Sequence, residues 1–134
     1  MTTIANIQQA TEAFRTLRPF IGRAQIEAMA DVCRGEERRY MLSKLSELIE
    51  TVQTMPKTYE TDGATDPIVR LHYFVAGCDW YIVERDIENE QLQAFGKADL
   101  GMGFPELGYI SITEITAAGA ELDLHWSEKP LSEC

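Results

Sequence analysis

Two histidines, His72 and His125, with Asp79 and Asp123 beside them in sequence, are the side chains best equipped for chemistry in this 134-residue chain. An imidazole meeting carboxylates in one place can hold a transition metal or move a proton. Each histidine lies in a segment that reads as a strand. His72 has the opposite parity to Val69, Leu71, Tyr73 and Val75, and His125 the opposite parity to Leu122, Leu124 and Trp126. Both are therefore expected on the more polar face, as partly exposed structural histidines. No HExxH, HxH or paired Cys/His spacing brings them together, so no metal site is expected. A small-ligand-binding or metal-dependent enzyme using His72, His125 and nearby carboxylates stands as the alternative.

The other chemical motifs fail on spacing. Gly96-Lys97 has Gln91 where a phosphate loop needs its first glycine, and Gly101-Met102-Gly103 has Glu106 where a dinucleotide fingerprint needs its third. Ser111 has no GxSxG setting, and Cys33, Cys78 and Cys134 are widely spaced with no CxxC. Turn geometry accounts for the glycines. No catalytic residue and no cofactor is expected, and a non-enzymatic protein is.

The stretch Cys78–Glu90, CDWYIVERDIENE, sets an apolar centre among five carboxylates. Extended, it places Trp80, Ile82, Glu84 and Asp86 on one face and Asp79, Tyr81, Val83 and Arg85 on the other. Neither face encloses two carboxylates in apolar surroundings, as raising one pKa for acid catalysis requires. Asp86–Glu90 reads as a solvated acidic turn. The charge distribution is uneven: residues 1–57 hold eight Lys/Arg against seven Asp/Glu, residues 58–134 four against fifteen, and the whole chain is −10. That excess argues against direct binding of nucleic acid or an anionic membrane. It suits a basic protein partner, reached through Glu60, Asp62, Asp66, Glu84, Asp86, Glu88, Glu90 and Asp99.

The elements follow from periodicity. Ile4, Ile7, Phe14 and Leu17 predict a first helix behind a threonine cap, Ile26, Met29, Ala30 and Cys33 a second ending near Gly35, and Met41, Leu45, Leu48, Val52 and Met55 a third stopping at Pro56. The third stripe reads as core, with a homodimer seam as the competing reading. Beyond Lys57, IVRLHYFV and DWYIVER predict a hairpin across VAGC, followed by strands within LQAFGKADL, at Leu107–Ile110 and in ELDLHW. Ser111 and Glu114 form a capping-box pattern for a short helix that Gly119 ends. The expectation is one α+β domain, residues 1–134: a helical subregion, 1–56, packed with an acidic subregion, 57–134, holding an antiparallel sheet of four to five strands and one short helix. With no basic and apolar leader and no spanning stretch, a soluble cytoplasmic protein is expected.

From MPKTYETDGATDPIVRLHYF through DWYIVERD and QAFGKADLG to PELGYISITEI and ELDLHW, residues 55–127 resemble an uncharacterised small domain family carried by conjugative plasmids, integrated elements and prophages. Its mark here is the Pro105-Glu106-Leu107-Gly108-Tyr109 turn, with Leu107 and Tyr109 as anchors. The resemblance implies a mobile-element accessory protein, and such proteins often counter host defence. It supplies no catalytic residue. Together with the acidic half it yields the leading expectation: an inhibitor or adaptor of anti-CRISPR or antirestriction type, a nucleic-acid mimic binding a basic nucleic-acid-handling host protein such as a CRISPR or restriction effector. A structural homo-oligomerisation module is the further alternative.

Overall fold

The third apolar stripe organises the molecule. In the computed structural model, which describes residues 3–134, α3 spans Arg38–Thr54 and Met55 has already left helical geometry at ψ 155°. A residue before proline is pushed out of the αR region, and Pro56 follows. Met41, Leu45, Leu48, Val52 and Met55 are all buried. The stripe lies at the centre of the core, covered by the chain's own elements.

Helices α1 (Ile7–Leu17) and α2 (Arg23–Val32) precede α3. The expected threonine cap is corrected to Asn6, whose side chain accepts from the Gln9 amide at 2.9 Å. Ile4 explains the later start: its amide donates to Ser46 Oγ at 2.9 Å and its side chain is buried, so that residue is drawn onto α3. Asn6→Ala is expected to cost about 1 kcal/mol of stability in chemical denaturation, as N-cap deletions do.

The remaining elements are β1 (Ile68–Val69), β2 (Leu71–Val75), β3 (Cys78–Glu84), β4 (Ala94–Asp99), β5 (Glu106–Ile110), α4 (Ile112–Ala117), β6 (Glu121–Leu122), β7 (Lys129–Pro130) and a 3-10 turn, Leu131–Glu133. Five strands form an antiparallel sheet in the order β5-β4-β3-β2-β6, and β1 pairs separately with β7. The architecture is the expected α+β: three N-terminal helices, a five-stranded antiparallel sheet and one short C-terminal helix. Ala76 and Gly77, with φ of 45° and 82°, make the two-residue β2–β3 turn. Two consecutive left-handed residues match the right-handed strand twist. Ser111 caps α4 by accepting from the Glu114 amide at 3.1 Å, and Gly119, at φ 105°, ends it.

One sheet face packs on the helices. Leu71, Tyr73, Ile82, Ala94, Ile110 and Leu122 join Leu17, Leu45 and Ile49 in the core. Tyr73 is fully buried, its hydroxyl donates to the Phe20 carbonyl at 2.6 Å, and burial pushes its pKa far up. The two edges of the sheet are treated differently. At β6, Gln25 of α2 takes the place of a further strand: its Oε1 accepts from the Leu122 amide at 2.9 Å and its Nε2 donates to the Leu122 carbonyl at 2.8 Å. At β5, among the described residues, no strand or side chain pairs with the outer backbone.

The last strand is shorter than ELDLHW predicts. It stops at Leu122, and Asp123 turns the chain by accepting from the His125 amide at 2.9 Å. That turn swings Trp126 away from the core and over the other sheet face. Among the described residues no helix is long and apolar enough to cross a membrane.

Candidate functional site

The β3–β4 register decides where the acidic residues go. Asp79 faces Asp99, Trp80 faces Ala98, Tyr81 faces Lys97 and Ile82 faces Gly96; then Glu84, not Val83, faces Phe95. Val83 is the extra residue of a bulge, and one inserted residue inverts the face of whatever follows. Strict alternation would set Glu84 beside Trp80 and Ile82. The bulge carries it to the opposite face.

There Glu84 is 2% exposed. Its carboxylate accepts from the Tyr59 and Thr61 amides, both at 2.8 Å, and from the Thr61 hydroxyl. Asp86, 5% exposed, accepts from the amides of Glu88 (3.0 Å), Leu92 (3.0 Å) and Gln93 (2.9 Å). Buried Gln91 completes this loop: its Oε1 accepts from the Asp86 amide, and its Nε2 donates to the Asp86 and Glu88 carbonyls. The expectation that Glu84 and Asp86 belong to a contact surface is therefore corrected. Their oxygens are taken up by loop amides, which is how a buried carboxylate becomes tolerable.

Glu60, Asp62, Asp66, Glu88 and Glu90 are exposed and Asp99 is half-buried. They do not make one continuous patch. Glu60 and Asp62 lie on the loop that Glu84 pins, and the Ile87 amide donates to Thr58 Oγ1 at 3.3 Å, so this loop adjoins the one carrying Glu88 and Glu90. Asp99 lies at the other end of β4, about 16 Å away by strand rise. It shares that end with Asp79 and, across β2, with Glu121, which faces Phe74. Asp66 accepts from the hydroxyl and amide of Ser132 at 2.6 and 2.9 Å, and these bonds hold its carboxyl below the usual range.

Histidine chemistry is resolved by the same face. His72 Nδ1 meets Asp123 Oδ2 at 2.9 Å and Nε2 meets Asp79 Oδ1 at 2.7 Å. The ring stacks on Tyr81 at 5.0 Å and lies 4.9 Å from Trp126, over which Lys129 Nζ sits at 4.8 Å. His125, exposed in the Asp123 turn, belongs to no such cluster. With a carboxylate on each ring nitrogen, His72 presents no unengaged nitrogen to a substrate, as a general base must. Its geometry suits a clasp that holds residues 123–126 against the sheet. Among the described residues no three His, Cys, Asp or Glu side chains are arranged to hold a metal ion.

What the spacing arguments missed is an exposed apolar strip. The strand expected at Leu107–Ile110 is present as β5, Glu106–Ile110, so PELGY runs into a strand instead of closing a turn, and Leu107 and Tyr109 are 60% and 55% exposed instead of anchored. The preceding loop adds Leu100, Met102 at 70% and Phe104 at 82%. Tyr109 packs edge-on against Phe95 at 5.7 Å, and its hydroxyl donates to that of exposed Tyr59 at 3.1 Å. That bond, followed by desolvation and then by the nearby Tyr59, Asp62 and Glu84, raises the Tyr109 pKa. A signal was available in the sequence: five large apolar residues within Leu100–Tyr109 that follow no core parity.

A family model described as protein of unknown function (DUF2958) matches residues 41–129, from α3 through the whole sheet to β7. No curated protein and no solved structure matches the chain.

Proposed function

We propose, proceeding from a chain that belongs to the DUF2958 family of proteins of unknown function, that this protein is a non-enzymatic binder of a basic protein partner. The observation that carries the reading is the set of exposed apolar side chains on the β4–β5 hairpin: Leu100, Met102 and Phe104 on its loop next to Glu106, and Leu107 and Tyr109 along β5, with Tyr59, Glu60 and Asp62 at the Tyr109 end. Exposed apolar surface of that extent with a charged border marks protein interaction sites. Glu88 and Glu90 extend the negative field from the adjoining loop, and the net charge of −10 favours fast encounter with a basic surface. In the finer reading, which rests on the resemblance of residues 55–127 to domains of mobile elements, the protein is an accessory inhibitor or adaptor of anti-defence type. Its partner is then a nucleic-acid-handling host protein such as a CRISPR or restriction effector, whose phosphate-binding groove the carboxylates enter.

The test is inhibition of DNA cleavage by purified restriction and CRISPR effectors. Inhibition is expected to weaken as salt rises, because the screening length shortens. The combined change Asp62→Lys, Glu88→Lys and Glu90→Lys is expected to lower affinity about tenfold or more. Inhibition indifferent to both salt and charge reversal would sink the acidic-contact reading.

A further inference from the structure

The free edge of β5 has a definite hydrogen-bonding polarity. In a two-residue hairpin the residues flanking the turn exchange both main-chain bonds, which makes Val75 and Cys78 such a pair. Parity then directs the main-chain groups of Trp80 and Ile82 toward β2, in agreement with the Arg70 amide donating to the Ile82 carbonyl at 2.9 Å. Those of Asp79 and Tyr81 point to β4 and pair with Asp99 and Lys97. On β4 the groups of Ala94, Gly96 and Ala98 are left for β5, where they meet Ile110, Gly108 and Glu106. The outward-facing N–H and C=O groups of β5 therefore belong to Leu107 and Tyr109, the two residues whose side chains stand exposed on the solvent face.

Three further observations set this edge apart. The opposite edge, at β6, is closed by Gln25, so the fold covers one edge and leaves the other. β5 carries no lysine, and its one charge, Glu106, stands exposed at the first position of the strand, so the residues along the edge lack the cations by which free edges ordinarily avoid pairing. Gly108 is also unexplained by packing: nothing lies within 4 Å of where its Cβ would be, and its φ is not left-handed. The open space at this strand glycine is compatible with another backbone coming close.

We infer that β5 is a docking edge on which an extended segment of a basic partner, alternating lysine or arginine with apolar residues, adds as a sixth strand. Main-chain bonds to Leu107 and Tyr109 supply the pairing, and alternate apolar side chains lie along Tyr59, Leu107 and Tyr109. Glu106 at one end of the edge, with Glu60 and Asp62 on the loop beside Tyr109, favours cations on the incoming strand. Lys97, the cation on the same face opposite Leu107, is occupied by the Cys134 main-chain oxygen at 2.8 Å. A second copy of this chain is a poor occupant, since it brings another net charge of −10 to the same edge. This inference rests on the partner-binding reading and specifies its mode.

The probe is a labelled, end-capped peptide of alternating lysine and valine, with glutamate–valine and alternately N-methylated versions as controls, read by anisotropy and by amide hydrogen exchange. The lysine peptide is expected to bind and to slow exchange at Leu107 and Tyr109. N-methylation, which removes the peptide's donors, is expected to weaken binding about tenfold or more. Leu107→Pro should do the same while leaving the fold intact, because its N–H faces outward and edge strands accept proline there. Equal binding of the glutamate peptide, or no added protection on β5, would overturn the inference. So would protection that rises with protein concentration alone, which would assign the edge to a second copy. If effector inhibition is lost on charge reversal but survives Leu107→Pro, the strand-addition mode is wrong and the broader reading stands.

Discussion

Replacing Gly96 with alanine is expected to lower the free energy of unfolding by about 3 kcal/mol or more, seen as a lower urea midpoint with an unchanged slope. A Cβ at this position would lie 2.0 Å from the Tyr81 carbonyl oxygen and 3.0 Å from the Ile82 Cα. Both are backbone atoms of the paired strand and cannot rotate away. The clash can be relieved only by moving β4 off the bulge, and the bulge is what turns Glu84 toward the 57–63 loop. Faster hydrogen exchange at the Tyr59 and Thr61 amides should therefore accompany the loss of stability. Gly108→Ala, at the directly paired position on the neighbouring strand β5 but with open space around its Cβ, should change stability by no more than about 0.5 kcal/mol. The contrast separates a glycine the fold needs from one it does not.

The second large effect is expected at Glu84. Alanine there removes the acceptor for two main-chain N–H groups and the Thr61 hydroxyl at a site that is 2% exposed. Net values of about 1 kcal/mol per bond, higher for a charged acceptor, together with the penalty for stranded donors, place the loss near 3 kcal/mol. Glutamine, which keeps one carbonyl oxygen but sets an amide against a donor, should lose about half as much. Denaturant titration of the two variants checks the order. Because the loop carries Tyr59, Glu60 and Asp62, Glu84→Ala should also weaken partner binding although Glu84 touches no partner, and Glu84→Gln should restore part of it.

Much of the fold was legible in side-chain spacing. The steps of four and three from Met41 to Met55 name a buried helix face, and Ser111 with Glu114 names a capped start; both rules are local and both hold. The misplaced residues share one cause, a change of parity that propagates. Nothing in CDWYIVERD reveals that Val83 is supernumerary, because the reason lies in the partner strand, at Gly96, thirteen positions on. Without the bulge, alternation puts Glu84 on the wrong face and its charge in solvent. Trp126 escapes its expected face in the same way: the Asp123 turn ends the alternation after Leu122 and sends the indole over His72, where its Nε1 donates to the Val69 carbonyl at 3.0 Å. The charge count located the acidic half of the chain but was blind to burial, so it weighted Asp86 and Glu88 alike although one is interior and the other exposed.

The link between Gln25 and Leu122 joins residues 97 apart in the chain. It also determines when the fold can be finished. A chain leaving a ribosome presents α1, α2 and α3 first, and these can pack on one another, but the core they share with Leu71, Tyr73, Ile82 and Leu122 stays open until the strands follow. Contacts of such wide separation slow folding, because the entropy of closing the intervening loop is lost before the contact is gained. The helical segment must therefore wait, its sheet-facing side uncovered, through the synthesis of some seventy further residues, the interval between Thr54 and Leu122. During that interval the nascent chain is most exposed to aggregation and to chaperones. Arrest of translation before Leu122 should consequently yield a species bound by trigger-type holdases, and release beyond it should yield one that is not.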